Sequence, residues 1–140
     1  MIKGSCACGG IRFEIDKVLA LTYCHCSICR KLSGSAFASY VHVAKDKFRW
    51  VSGQDLIQRY ESTPGSTRGH CRVCGSQAPG QAPYLPTMSI AAGLLDDDPG
   101  VKPMLHVFTS SKAPWWEITD NLPQHEKWVP GYEPKKQAEQ

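Results

Sequence analysis

No long run of apolar residues occurs in this sequence. Among its 140 residues, no apolar stretch approaches the ~18 residues that a membrane-spanning helix requires. The first five residues lead directly into a pair of cysteines, without the apolar core of a secretory signal peptide. We therefore expect a cytoplasmic protein with no membrane partner.

A strong excess of charge is also absent. The formal net charge is +3, and Lys and Arg are interspersed with Asp and Glu rather than gathered into a basic tail. If all seven cysteines bound two Zn²⁺ ions as thiolates, the two centres would contribute −3 and bring the net charge close to zero. Because nucleic-acid binding needs a basic surface, we predict no nucleic-acid partner.

Internal repeats, heptads and an interdomain linker are lacking as well, whereas turn residues are plentiful. The chain contains ten prolines and twelve glycines, which favour short elements over long helices. Its length suits a single domain with a modest core, of a size that gains stability from bound metal. We predict a mainly β fold, with one domain over residues 1–134 and a frayed tail over 135–140.

Short apolar segments separated by turns define the predicted strands. Residues 30–34 predict one helical turn or a tight loop, and 76–86, with three prolines and one glycine, predict an irregular stretch. From residue 110 to about 132 we expect an ordered irregular segment that lies over the core. Strands are predicted at 11–15, 18–23, 36–43, 48–51, 56–60, 88–95 and 104–109, the last of them buried on both faces.

The seven cysteines lie in three short clusters, and none stands alone. Structural disulfides are rare in the cytoplasm, and an odd number of cysteines would leave one thiol over. Thiolates are soft ligands that suit zinc, so metal binding is the favoured interpretation. The clusters are the C-x-C pair Cys6 and Cys8, the C-x-C-x-x-C group Cys24, Cys26 and Cys29, and the C-x-x-C pair Cys71 and Cys74.

These clusters divide into one group of four and one of three. Structural zinc sites are usually closed by four protein ligands, whereas catalytic sites usually have three and keep one position open. The two distant pairs are typical of the halves of a structural site, which we call the cysteine quartet: Cys6, Cys8, Cys71 and Cys74. The remaining cysteine triple, Cys24, Cys26 and Cys29, would hold a second zinc with an open position.

Three alternatives to this division stay open. The cysteines can be plain buried thiols, or a redox C-x-x-C, although the usual βαβ setting of that motif is not apparent. The triple can also be a structural site closed by a histidine. His25 and His70 are poorly suited to that role because each adjoins a cysteine ligand. The five histidines are His25, His42, His70, His106 and His125.

Several motifs resemble the glutathione-dependent formaldehyde-activating enzyme family, which also includes centromere protein V. They are residues 4–10 (GSCACGG), 24–30 (CHCSICR), 33–37 (SGSAF) and 71–75 (CRVCG). Later segments are similar too, at 93–97, 106–108 and 111–116, so that the resemblance covers about residues 4–123. Two features depart from the family: His70 in place of a frequent aromatic residue, and the Pro-Gly-rich stretch 76–86.

The resemblance implies a β-sheet fold held together by two zinc ions. It implies a structural zinc on the quartet and a catalytic-type zinc on the triple, in agreement with the division by ligand number. It also implies an activity, the condensation of formaldehyde with glutathione to S-(hydroxymethyl)glutathione, which is a carbon–sulfur lyase reaction run in reverse. The expected partner is then a small-molecule thiol, such as glutathione.

Ligand chemistry favours capture of a thiol at the triple. Three thiolates leave the zinc centre with a net charge of −1, which weakens it as a Lewis acid toward an aldehyde. Arg30 and Lys31 can offset this charge, or simply be solvated, and Trp115 and Trp116 can line a pocket or pack in the core. The alternative functions are a non-catalytic binding module held by zinc and a thiol redox or metal-handling protein.

Overall fold

The fold is mainly β, as predicted. We describe residues 1–131 of a computed structural model, which contain ten strands, one α-helix and four short 3₁₀ helices. The α-helix, α1, spans Ser27–Ser33, and the 3₁₀ helices are Lys45–Lys47, Gln54–Leu56, Ala92–Leu94 and Thr109–Ser111. The strands are β1 Ile2–Ser5, β2 Arg12–Ile15, β3 Ala20–Cys24, β4 Ala38–Ala44, β5 Phe48–Ser52, β6 Ile57–Thr63, β7 Ser66–Cys71, β8 Gln77–Gln81, β9 Thr87–Ala91 and β10 Pro103–Val107.

The strands form three small sheets. The first has the order β1-β2-β5, the second β10-β3-β4-β9 and the third β6-β7-β8. Neighbouring strands are antiparallel except β10 and β3, which are parallel. The chain therefore builds the sheets largely from adjacent hairpins and returns to the second sheet only for its outer strands β9 and β10.

Alternation along β3 and β4 gives the second sheet two different faces, because successive side chains point to opposite sides. Val41 lies opposite Leu21 on one side and Ile90 on the other, and this row belongs to the main apolar core. The other face carries Cys24 and Tyr40, which pack in a separate cluster with the triple. One face of this sheet therefore supports the fold and the other supports a site.

The main core also fixes how β1 and β2 pair. Gly4 lies opposite the fully buried Phe13, and a Cβ added at Gly4 would stand 2.2 Å from the Phe13 ring. A side chain at this position would displace the ring, so only glycine lets it cover the strand. The remaining members of the core cluster are Ile15, Val18, Leu21, Val41, Val43 and Ile90.

All seven predicted strands overlap observed ones, but three features differ from the expectation. Strands β1 and β7 were not predicted, and β8 lies inside the stretch 76–86 that was expected to be irregular. β8 tolerates Pro79 because it is an edge strand whose pairing with β7 shifts register there. β10 is not buried on both faces, since it lies at the edge of its sheet and only His106 is fully enclosed.

After β10 the chain runs alongside that strand without regular structure beyond one 3₁₀ turn. The backbone N–H of His106 donates to the Pro123 carbonyl, and that of His125 donates to the His106 carbonyl. Residues 110–131 are therefore the ordered irregular segment that the sequence predicts. Tyr132 and the tail 135–140 lie outside the described residues.

Candidate metal centres and the adjoining cleft

The cysteine triple is positioned where β3 ends and α1 begins. Cys24 is the last residue of β3, Cys26 caps the N-terminus of α1, and Cys29 lies in its first turn. The Cys26 thiol accepts a hydrogen bond from the Cys29 backbone N–H at 3.2 Å. The helix ends after seven residues at Gly34, whose left-handed conformation closes it. The observed helix is thus longer than the single turn expected at 30–34.

The geometry of the triple suits a soft metal ion. The Sγ atoms of Cys26 and Cys29 are 2.8 Å apart, and those of Cys29 and Cys24 are 3.3 Å apart. Tetrahedral zinc with bonds of about 2.3 Å requires sulfurs about 3.8 Å apart, so a small outward movement would admit the ion. Within residues 1–131, no histidine or carboxylate joins this group of potential ligands. The triple therefore offers three donors and leaves a fourth position open.

The cysteine quartet joins the first sheet to the third. Cys6 and Cys8 follow β1, while Cys71 ends β7 and Cys74 lies in the turn before β8. The four sulfurs lie within 4.8 Å of one another, and the pairs Cys6–Cys8 and Cys8–Cys71 are 3.5 and 3.9 Å apart. These separations approach those of a tetrahedral tetrathiolate site. The quartet can thus hold an ion that links distant parts of the chain.

Hydrogen bonds support the quartet before any metal binds. The backbone N–H of Ile11 donates to the Cys6 thiol at 3.3 Å, and Ser76 contacts the Cys74 thiol at 3.3 Å. Hydrogen bonding with Ser76 lowers the pKa of Cys74 to about 5. A thiol that is easily deprotonated is ready to act as a thiolate ligand.

His25 and His106 form a buried pair. His25 Nε2 lies 2.8 Å from His106 Nδ1, and His106 Nε2 lies 2.9 Å from the Asp120 carboxylate. The Asp120 carboxylate can only accept a hydrogen bond, so His106 Nε2 carries a proton. The Nδ1 atom of this neutral ring then accepts a hydrogen bond from His25 Nε2. Burial lowers the pKa of His25 to about 4, so its ring is neutral near pH 7. These rings serve as links between the metal loop and the irregular segment, not as members of the triple.

His42 has a different environment. Its two ring nitrogens lie 2.7 Å from the Thr22 hydroxyl and 3.1 Å from the Ser89 hydroxyl. Burial lowers the pKa of His42, so the ring is held neutral between two hydroxyl groups. His70 lies exposed on β7 beside the quartet.

A cation and a phenol that the sequence did not indicate stand beside the triple. Arg68 of β7 points its guanidinium at the Cys29 thiol, with Nη1 and Nη2 at 3.7 and 3.8 Å from Sγ. Arg68 Nη1 also donates to the Tyr40 hydroxyl at 2.9 Å, and that hydroxyl lies 3.6 Å from the same sulfur. Hydrogen bonding with Cys24 and Cys26, together with the Arg68 charge, lowers the pKa of Cys29 to about 2.

Both cysteine groups lie within the part of the chain that matches a known protein family. Residues 1–111, which include both cysteine groups, match the family model described as glutathione-dependent formaldehyde-activating enzyme. The chain belongs to this family. The resemblance noted in the sequence motifs is thereby confirmed.

Two individual proteins illustrate the likeness. A protein of Halomonas elongata, named "Putative glutathione-dependent formaldehyde-activating enzyme", is 28% identical over 153 residues, which cover 99% of this chain and 93% of that one. A crystal structure of a Rhodobacter sphaeroides protein aligns with a TM-score of 0.59 and 24% identity, covering 72% of this chain and 97% of that one. The second match supports the fold alone.

In this family member, the triple opens into a cleft between the second and third sheets. Cys24 and Cys29 line its inner part with Tyr40 and Arg68, and the tryptophan that borders it is Trp128. Trp128 is held there by an edge-to-face contact with Phe108 at 5.1 Å between ring centroids. The cleft therefore offers a route by which a ligand reaches the open side of the triple.

The side chains that the sequence offers as neighbours of the metal or as the lining of a pocket do not border this cleft: Arg30, Lys31, Trp115 and Trp116. Arg30 donates from Nε to the Ser111 carbonyl at 3.1 Å, and Lys31 is exposed. Tyr23 and Phe37 pack together at 4.5 Å next to the histidine pair, and Trp116 contacts Phe37 at 6.0 Å. These aromatic rings enclose the histidines rather than the cleft.

No helix within residues 1–131 combines the length and apolar character that crossing a membrane requires.

Proposed function

We propose that this protein is a zinc-dependent enzyme of the carbon–sulfur lyase type that joins a small-molecule thiol, glutathione or a related compound, to formaldehyde. Family membership supports the substrate pair. The observation that carries the proposal is the triple: three buried cysteine sulfurs lie together, two of these cysteines (Cys24 and Cys29) line a cleft, and no fourth protein ligand joins them among the described residues. An open position at three thiolates is the arrangement of a catalytic rather than a structural zinc site.

The two cysteine groups have different proposed roles. The quartet Cys6, Cys8, Cys71 and Cys74 would hold a structural zinc, because its four donors complete a tetrahedron. The triple Cys24, Cys26 and Cys29 would hold a second zinc, which when bound stabilises a substrate thiol as its thiolate.

The reaction itself needs little further chemistry from the chain. The thiol loses its proton to solvent, and its sulfur forms a bond to the carbonyl carbon of formaldehyde. The carbonyl π electrons move to oxygen, which takes up one proton to give the hydroxymethyl thioether. The cleft brings the two reactants together, and Tyr40 offers a hydroxyl close to where the sulfur would lie.

The proposal is tested by measuring the hydroxymethyl adduct by NMR, with glutathione and formaldehyde as substrates. We expect the zinc-loaded protein to accelerate adduct formation over the uncatalysed rate, and a Cys26→Ser variant to lose that acceleration while it remains folded. Activity that survives a thiol reductant but not a chelator separates this function from a redox function. If the wild-type protein neither accelerates the reaction nor binds a thiol, the proposal is wrong and a binding module takes its place.

A further inference from the structure

We propose that Arg68 is the charge-balancing residue that makes the cysteine triple accept an anionic fourth ligand, a thiolate. This inference rests on the proposed function and deepens it. Both terminal nitrogens of Arg68 face the Cys29 sulfur, at 3.7 and 3.8 Å. A guanidinium that presents two N–H groups to one sulfur stabilises negative charge on that sulfur.

Arg68 is held in this position by neutral partners only. Its Nε donates to the Ser62 hydroxyl at 3.1 Å, and Nη1 donates to the Tyr40 hydroxyl at 2.9 Å. Within the described residues, no carboxylate lies within ion-pair distance of Arg68. The guanidinium is only partly exposed, so its positive charge is not fully solvated. Within residues 1–131, the group of the triple that this charge faces is the Cys29 sulfur.

The charge count shows why this matters for the fourth ligand. Zn²⁺ with three thiolates carries −1, and a fourth thiolate would raise the negative charge to −2 in a buried site. Arg68 brings the three-thiolate centre to zero and the four-thiolate centre to −1. Because like charges in a medium of low dielectric constant repel strongly, removing Arg68 should weaken an anionic ligand by about tenfold or more. A neutral ligand should be little affected.

The sequence neighbours of the triple do not fill this role. Arg30 points its Nε at the Ser111 carbonyl, and Lys31 lies exposed on α1. Arg68 comes from β7, 39 residues from Cys29, and reaches the site because the third sheet closes the cleft. The positive charge that favours an anionic ligand thus comes from the third sheet, whereas the sulfurs come from β3 of the second sheet and from α1.

The test uses the full chain loaded with Co²⁺ in place of zinc, because the visible spectrum of cobalt thiolates reports a new fourth ligand directly. Three probes are titrated: 2-mercaptoethanol, which binds as a thiolate; azide, an anion without a thiol; and imidazole, which is neutral. The variants are Arg68→Met and Arg68→Lys. Arg59→Met is the matched control, since Arg59 lies on the neighbouring strand β6 and donates to the Pro79 carbonyl, and neither residue lines the cleft.

We expect Arg68→Met to bind 2-mercaptoethanol and azide at least tenfold more weakly than wild type, with imidazole affinity within about twofold. Arg68→Lys should keep most of the anion affinity, and Arg59→Met should match wild type. If Arg68→Met fails to fold, Arg68→Gln replaces it, because the amide can still bond to Tyr40 and Ser62. Equal affinity for thiolate in both proteins, or equal weakening of all three probes, overturns the inference.

Azide binding distinguishes failure of the proposed function from failure of the proposed role of Arg68. A wild-type protein that binds azide but no thiol would refute the proposed function, whereas the effect of Arg68→Met on azide would still decide the role of Arg68. A wild-type protein that binds thiolate with no loss in Arg68→Met would refute only the role of Arg68. The spectrum of bound cobalt makes this distinction without any measurement of turnover.

Discussion

The contact between Gly4 and Phe13 shows how one residue limits the first sheet. A Cβ at Gly4 would lie 2.2 Å from the Phe13 ring, and Phe13 is fully buried. Overpacking of a core typically costs about 1–3 kcal/mol. We therefore expect Gly4→Ala to lower the free energy of unfolding by about that amount, as measured by denaturant unfolding of the metal-loaded protein.

The matched control for this prediction is Gly93→Ala. Gly93 lies in the 3₁₀ turn Ala92–Leu94, and nothing stands within 4 Å of a Cβ added there. The control should leave the stability unchanged or raise it by up to about 1 kcal/mol, because alanine restricts the unfolded chain. Equal destabilisation by both substitutions would contradict the argument from the Phe13 contact.

Because His42 is neutral in the folded state, it makes the free energy of unfolding depend on pH. Burial lowers the folded-state pKa of His42, so the unfolded state binds a proton more readily. Above the unfolded-state pKa of about 6.5, the histidine is neutral in both states and does not affect the free energy of unfolding. As the pH falls below about 6.5, the unfolded state takes up a proton more readily than the folded state, and the fold is destabilised. We expect the unfolding free energy of wild type to fall more steeply than that of His42→Gln between about pH 7 and 5.

Urea melts at fixed zinc concentration measure this difference, and the comparison with the variant removes the contribution of metal loss, which both proteins share. Thr22 and Ser89, which flank the ring, do not titrate in this range. Parallel pH profiles for the two proteins would mean that His42 is not the group responsible.

At the scale of the elements, the two cysteine groups should respond differently to substitution. The quartet joins the segment after β1 to the end of β7 and the turn before β8, so that its metal would crosslink two sheets. The triple lies within one loop and the first turn of α1, and crosslinks little of the chain. A metal ion bound at the quartet would therefore be coupled to folding, whereas one bound at the triple would contribute little to it.

We expect Cys74→Ala to give insoluble or non-cooperatively melting protein, whereas Cys26→Ser remains folded with about one zinc fewer per chain. Zinc analysis and thermal melting of both variants check this, and each serves as the control for the other. A soluble Cys74→Ala protein with its full zinc content would exclude the quartet assignment. An unfolded Cys26→Ser protein would make the triple a structural site.

The elements also show what the sequence could and could not predict. β2 was predicted because its alternation of apolar and polar residues is local, and each cysteine cluster was recognised because its ligand spacing is local. β8 was missed because Pro79 argues against a strand unless the pairing with β7 is already known to shift there. Arg68 was missed because its approach to Cys29 depends on how the third sheet packs against the second, which no short motif encodes.

Across the whole molecule, charge and metal content are connected. The apo chain carries a formal +3, and two zinc centres with seven thiolates would bring the total close to zero. Arg68 faces the Cys29 sulfur, and Arg49 forms ion pairs with Glu14 and Asp16. Lys and Arg are interspersed with Asp and Glu along the sequence, which argues against a strongly basic surface.

We accordingly predict that the zinc-loaded protein binds duplex DNA no more strongly than the weak non-specific level. Each phosphate contact that releases counterions steepens the fall of affinity with salt, so a basic surface would reveal itself in a salt titration. Fluorescence anisotropy with a labelled duplex at about 50 and 200 mM salt measures this slope. The Cys26→Ser variant, which we expect to stay folded without the second zinc and therefore to carry one more positive charge, is the matched comparison and should bind at least as well as the wild type. A steep salt dependence that persists in the zinc-loaded protein would show that its basic residues form a surface patch despite the near-zero total.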